Sequence, residues 1–178
     1  HGALVADGKL WVVGGTTGDF GTPLLDDVWA FDRASSTWTK VATLPAPLSG
    51  VTLGLAASGE LLVMGRVPDA ANETKTSPVF AVDRTSHAVR TMDAVPAKVG
   101  LWSLTPYRGC FIGYESGDTV DSSLPNLWRC TIANGATTWS SMSLQEHDFA
   151  LEGLRGTSAP DGLRAYFVGR HLWEAIGK

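Results

Sequence analysis

Side chains able to do chemistry are few in this chain of 178 residues, and their spacing says more than their types. The four histidines, His1, His87, His147 and His171, stand far apart, with no pair at the i, i+4 interval that lets one helix face grip a metal. His87 falls in a turn between two strand-like runs, where a solvated imidazole is the natural reading. No Gly-x-Ser-x-Gly elbow and no Walker-type phosphate loop occurs. The residues therefore offer no catalytic, metal-binding or cofactor-binding set, and no cofactor is expected. Cys110 and Cys130 are the two cysteines. If Gly113 lies opposite Leu127 on a neighbouring antiparallel strand, Cys110 lies opposite Cys130, and a cross-strand disulfide becomes geometrically open. Buried thiols filling a core are favoured over that bond, because nothing indicates secretion and an intracellular setting is the simpler expectation. Asn72-Glu73-Thr74 is a glycosylation sequon, with weight only in a secreted protein.

Acids supply the densest chemistry. Asp19, Asp26 and Asp27 form one group, Asp69 and Glu73 a second, and Glu115, Asp118 and Asp121 a third. Only Arg66 and Lys75 stand among them, so these segments carry a net −6 in a chain whose total is −4. Whether the groups act together depends on the elements that carry them.

Those elements repeat. Leu10-Trp11-Val12-Val13-Gly14-Gly15 is followed by a polar excursion, then by Val28-Trp29-Ala30-Phe31-Asp32, then by Trp38-Thr39-Lys40-Val41-Ala42. Leu61 to Gly65, Val79 to Asp83 and Val89 to Met92 copy the set; Cys110 to Gly113, Leu127 to Cys130 and Trp139 to Met142 copy it again. Trp29 follows Gly14 by 15 residues, as Phe80 follows Gly65 and Trp128 follows Gly113. The glycines recur at intervals of 51 and 48, then 56 to Gly169, a period that marks propellers and solenoids. With 44% hydrophobic residues and strands rich in Val, Leu, Phe and Trp, each copy reads as a small antiparallel sheet. The second strand is apolar on both sides, so both faces must be covered, and stacked neighbouring sheets do that.

The first unit predicts strands at Ala3–Val5, Lys9–Gly14 and Val28–Asp32 and one starting at Trp38, with a loop from Thr16 to Asp27. The third predicts a strand at Leu101–Leu104 before a Pro106-Tyr107-Arg108-Gly109 turn. In the fourth, Leu172 follows Gly169 so closely that either a tight hairpin replaces the long loop or the alignment slips. No long amphipathic helix is expected; the nearest stretch, Glu146 to Arg155, is short and glycine-interrupted.

The run ending in Gly14-Gly15, the aromatic Trp29 and the later Trp38 resemble the kelch repeat of β-propellers. The second copy departs from it at Gly65-Arg66 and Val89, and the third at Gly113-Tyr114. The resemblance implies an all-β chain of kelch-type blades with four antiparallel strands each. About three and a half blades are present in one partial propeller: about 1–45, 46–96, 97–146 and an incomplete 147–178. The sequence opens at His1 inside a repeat, without a methionine, so a piece of a longer protein is expected. The rest of the propeller would come from further residues or another chain.

In such a meander the three acidic groups project from different blades at one end. Kelch-like propellers commonly bind partner proteins through loops at that end. The resemblance thus implies an interaction or scaffold module, not an enzyme, whose protein partner presents a basic patch to Asp19, Asp26, Asp27, Asp69, Glu73, Glu115, Asp118 and Asp121. Net acidity argues against direct binding to a nucleic-acid duplex, and no apolar run is long enough to span a membrane. Two alternatives stand beside it. One is a segment of a kelch-like oxidase or sugar-modifying enzyme with its site elsewhere, although Tyr107, Tyr114 and Tyr166 do not form the tyrosine, histidine and cysteine set of kelch-like copper oxidases. The other is an architectural subunit of a large assembly.

Overall fold

β-branched and aromatic side chains at every second position favour a pleated surface packed on both sides, and the chain has few other runs to offer. In the computed structural model they form, among the described residues, fifteen strands in four antiparallel sheets. The structure describes residues 1–18, 23–67, 77–96, 104–114, 127–133, 135–142, 155–158, 164–168 and 172–176. The first sheet is β1 (Gly2–Ala6), β2 (Lys9–Thr16), β3 (Leu24–Asp32) and β4 (Thr37–Thr43). The second is β5 (Ser49–Leu55), β6 (Leu61–Arg66), β7 (Ser77–Val82) and β8 (Val89–Val95). β9 (Thr105–Tyr107), β10 (Cys110–Tyr114), β11 (Leu127–Ala133) and β12 (Ala136–Met142) make the third. The fourth has three described strands, β13 (Arg155–Ser158), β14 (Arg164–Val168) and β15 (Leu172–Ile176). Strands pair with their sequence neighbours throughout, an up-and-down meander in each sheet.

Alternation settles what each sheet buries. One face of the second sheet carries Leu61, Val63, Phe80 and Val82 and packs on Trp11, Val13, Val28 and Ala30 of the first. Its other face carries Leu62, Met64, Val79 and Ala81 and packs on Phe111, Cys110 and Cys130 of the third. All four of β6's leading residues are buried, which is why that run is apolar on both sides. The innermost strands β1, β5 and β9 contact one another in turn, and β13 continues the series against β9.

Several boundaries differ from expectation. β2 does not stop at the glycine pair: it continues to Thr16, with Gly14 (φ 58°) and Gly15 (φ 99°) absorbing a bulge where the β2–β3 register shifts. β3 accordingly starts at Leu24, so Asp26 and Asp27 lie in a strand and not in a loop. In the third sheet Pro106 and Tyr107 belong to β9, which pairs Phe111 with Pro106, and the turn shrinks to Arg108-Gly109. Both turn residues have positive φ, 47° and 75°, like Asp7-Gly8 at 51° and 70°; such two-residue turns match the twist of a hairpin. In the fourth sheet Val168 pairs with Leu172, so three residues separate the paired strands where the earlier copies have a long connection. The expected strand at Leu101–Leu104 and the stretch from Glu146 fall largely outside the described residues.

Equal spacing did not give equal register. Trp29 lies opposite Val12 and Phe80 opposite Val63, each two residues before its glycine, but Trp128 lies opposite Gly113 itself. A slip of two residues leaves a side chain on the same face. Trp128 therefore still packs toward the second sheet.

Candidate functional site

The polarity of the stack is fixed at the turn end, where three sheets are joined through side chains. Asp32 and Asp83, 51 residues apart, close the same turn in successive copies: Asp32 Oδ1 accepts the Ala34 and Ser35 amides, Asp83 Oδ1 those of Thr85 and Ser86. These amide donors, Ser86 first, hold the Asp83 carboxyl below its ordinary range. Ser36 (φ 56°) and His87 (φ 63°) follow at matching positions, and the exposed His87 donates its amide to the Asp83 carbonyl. Arg84, from the β7–β8 turn, ion-pairs with Asp7 in the β1–β2 turn of the first sheet and donates to the Gly59 carbonyl in its own. Arg90 forks onto Glu60, with Nε and Nη2 each 2.9 Å from a carboxylate oxygen, and donates Nη1 to the Gly135 carbonyl of the third sheet at 2.6 Å. Sequence reading missed both arginines; the equal placing of Asp32 and Asp83 was the visible clue to that end.

In a meander the β2–β3, β6–β7 and β10–β11 connections leave from the opposite end, together with the links between sheets. Leu48 organises that end. Fully buried, it receives the Gly15 amide on its carbonyl at 3.1 Å and donates its own amide to the Leu25 carbonyl at 3.2 Å. A Cβ on Gly65 would stand 2.9 Å from the Ser49 carbonyl oxygen and 3.1 Å from Leu48 Cβ. The recurrent glycine is thus the place where the link between sheets crosses the end of strand two.

Of the acids expected at this end, Asp26 and Asp27 are described. Asp26 is half-buried at the start of β3, its carbonyl receiving the Leu44 amide at 2.8 Å. Asp27 forms a salt bridge with Lys40 on β4, a partner the sequence reading left out of the charge count. Lys40 foremost, with the Trp29 indole behind it, lowers the Asp27 pKa against the opposing pull of desolvation. Asp19, Asp69, Asn72, Glu73, Glu115, Asp118 and Asp121 lie outside the described residues.

Cys110 and Cys130 are joined in a disulfide, Cα–Cα 5.6 Å, in place of the favoured pair of thiols. Both are buried. The register differs from the one expected: Tyr114, not Gly113, lies opposite Leu127, and the regular ladder ends at Ile112–Arg129. Carried further it would set Cys130 opposite Phe111, so the bond closes where regular pairing has stopped. Next to it, Cys130 faces Trp139 on β12.

Comparison with known proteins agrees with this geometry. Residues 1–45 match the Kelch motif. No curated protein sequence matches the chain. Among solved structures the chain is similar to one titled "Structure of YjhT", with a TM-score of 0.61 at 12% identity over 93% of this chain and 57% of that one. It also aligns with the crystal structure of TolB from Acinetobacter baumannii, at a TM-score of 0.46 and 18% identity, over 92% of this chain and 35% of that one. The chain thus spans 57% of the length of the first of these structures, and at such identity the likeness concerns the fold.

Proposed function

We propose that these kelch-type blades form a protein-interaction module, and that its partner docks on the end from which the β2–β3, β6–β7 and β10–β11 connections leave. The observation that supports this reading is the pinning of the short turns of three sheets at the other end by Arg84 and Arg90. On this reading the segments carrying Asp19, then Asp69 and Glu73, then Glu115, Asp118 and Asp121, share one rim. A rim of one sign on a rigid scaffold steers a partner that presents a basic patch and makes capture depend on salt. Asp26 stands at its foot. Asp27 is given a structural part instead, because Lys40 already neutralises it.

Affinity capture with the whole chain as bait, read at increasing salt, tests the reading. Reversal of Asp26, Asp118 and Asp121 to lysine should abolish capture and its salt dependence, whereas Asp27→Asn should leave both intact. Capture that survives the triple reversal would refute an acidic docking end.

A further inference from the structure

In the first two sheets the second strand stays paired with the third all the way to the turn end. Lys9 and Leu61, the first residues of β2 and β6, lie opposite Asp32 and Val82. The third sheet departs from this. β10 begins at Cys110, yet its pairing with β11 begins at Ile112, so Cys110 and Phe111 have ladder partners on β9 and none on β11. On the other side Cys130 to Ala133 of β11 are paired with β12. The Cys110–Cys130 bond therefore joins the two halves of the sheet at the end where the ladder does not. It takes the place of missing hydrogen bonds.

Neither sulfur is open to exchange in the folded chain. Cys110 is 1% and Cys130 2% exposed, and both sit in one cluster with Leu62, Met64, Val79 and Ala81 of the second sheet. Exchange requires a thiolate to reach a bonded sulfur. Cysteines that sense or catalyse redox change are accordingly accessible, and the disulfides that come and go in a reducing cytosol are of that kind. A buried bond that completes a sheet has to be made before the neighbouring sheet closes over it.

We propose that Cys110 and Cys130 are oxidised while the chain folds, in an oxidising compartment, by exchange with the disulfide of a thiol oxidoreductase. One cysteine thiolate attacks the oxidant's disulfide, forming a mixed disulfide and releasing one oxidant thiolate. The second cysteine attacks the chain's sulfur in that mixed disulfide and expels the other oxidant thiolate. Two electrons and two protons pass from the cysteine pair to the oxidant, which leaves as a dithiol. Each cysteine has an arginine within two residues, Arg108 and Arg129, and a neighbouring cation favours the thiolate that attacks. Packing of the second sheet on Phe111 and the bonded sulfurs then closes the site. The bond is structural and not a switch, and the setting it requires replaces the intracellular one expected from the sequence.

Reduction kinetics test the closure. The whole folded chain, treated with reduced glutathione and sampled by alkylation and mass spectrometry, should lose the bond about a hundredfold or more slowly than the same chain unfolded in urea, because only opened molecules react. Leu62→Ala, which leaves a cavity on the side of the third sheet, should speed the loss more than Val63→Ala on the opposite face. Reduction of the folded chain as fast as the unfolded one, with its circular dichroism spectrum unchanged, would make the bond an accessible redox element and overturn the proposal. A second measurement tests the compartment: the whole chain is produced with and without an export signal, and thiols are blocked before lysis. Exported chains should carry the bond and retained chains two free thiols. A full bond in the retained chain, or free thiols in the exported one, would equally overturn it.

Discussion

Glu60 and Arg90 show how far single side chains decide the turn end. The fork between them is charge-assisted and two-pronged, the strongest geometry open to such a pair. Arg90 first, and Ser58 after the opposing effect of burial, hold the Glu60 carboxyl below its ordinary range. Because Arg90 is 38% exposed, solvent screens part of the attraction, and Glu60→Gln should cost about 1 kcal/mol at neutral pH. A depressed carboxyl contributes stability that is complete above its unfolded pKa and disappears as pH falls through the folded one. Urea midpoints of the parent and Glu60→Gln should therefore converge in acid, below the ordinary glutamate range; a gap constant down to low pH would contradict the ion pair. The disulfide makes a larger claim. It closes a loop with a sequence separation of 20, and replacing both cysteines by alanine should lower the unfolding free energy by about 3 kcal/mol. Urea unfolding of the oxidised parent and the double variant measures this. At this scale the sequence was legible in identity and not in pairing. Asp32 and Asp83 declared themselves by position, whereas Lys40 and Arg84 found their partners across strands or sheets that no local pattern relates.

Strands were legible because their alternation is local, and their ends were not, because ends depend on what crosses them. The glycine after strand two was read as a stop; it is a crossing point. Leu48 and Ser49 run close beneath Gly65, so Gly65→Ala must push a backbone carbonyl that cannot swing away, at a cost of about 2 kcal/mol. Gly8 is the fitting comparison. It has φ 70° but open space around it, so Gly8→Ala meets only backbone strain, about 1 kcal/mol. Thermal unfolding of the two variants should rank Gly65→Ala as the more damaging, and the reverse order would place the link away from β6. Asp26 and Asp27 were assigned to a loop for a related reason. The bulge at Gly14 extends both β2 and β3, and a bulge is set by the partner strand as much as by the residues in it. The same limit hid the slip of Trp128 to Gly113, since sequence spacing counts residues along the chain and register counts them across it.

Stacked sheets share stability with their neighbours and with little else, so the molecule behaves as a short one-dimensional array. The second sheet alone has both described faces packed in hydrophobic clusters, one shared with the first sheet and one with the third. Its middle strands should open least often. Among the described residues the first sheet has its fully buried side chains on its back face, and β4 is an edge whose residues 37 to 40 are exposed. Native-state hydrogen exchange should accordingly show the amides of β6 and β7 protected near the global limit, and those of β4 exchanging through small openings. Leu62 lies on the face turned to the third sheet and Val63 on the face turned to the first. Leu62→Ala, costing about 3 kcal/mol by cavity formation, should speed exchange in the third sheet more than in the first, while Val63→Ala should do the opposite. Equal acceleration in both flanking sheets by each variant would mean that the blades unfold as one block, and the array description would fail.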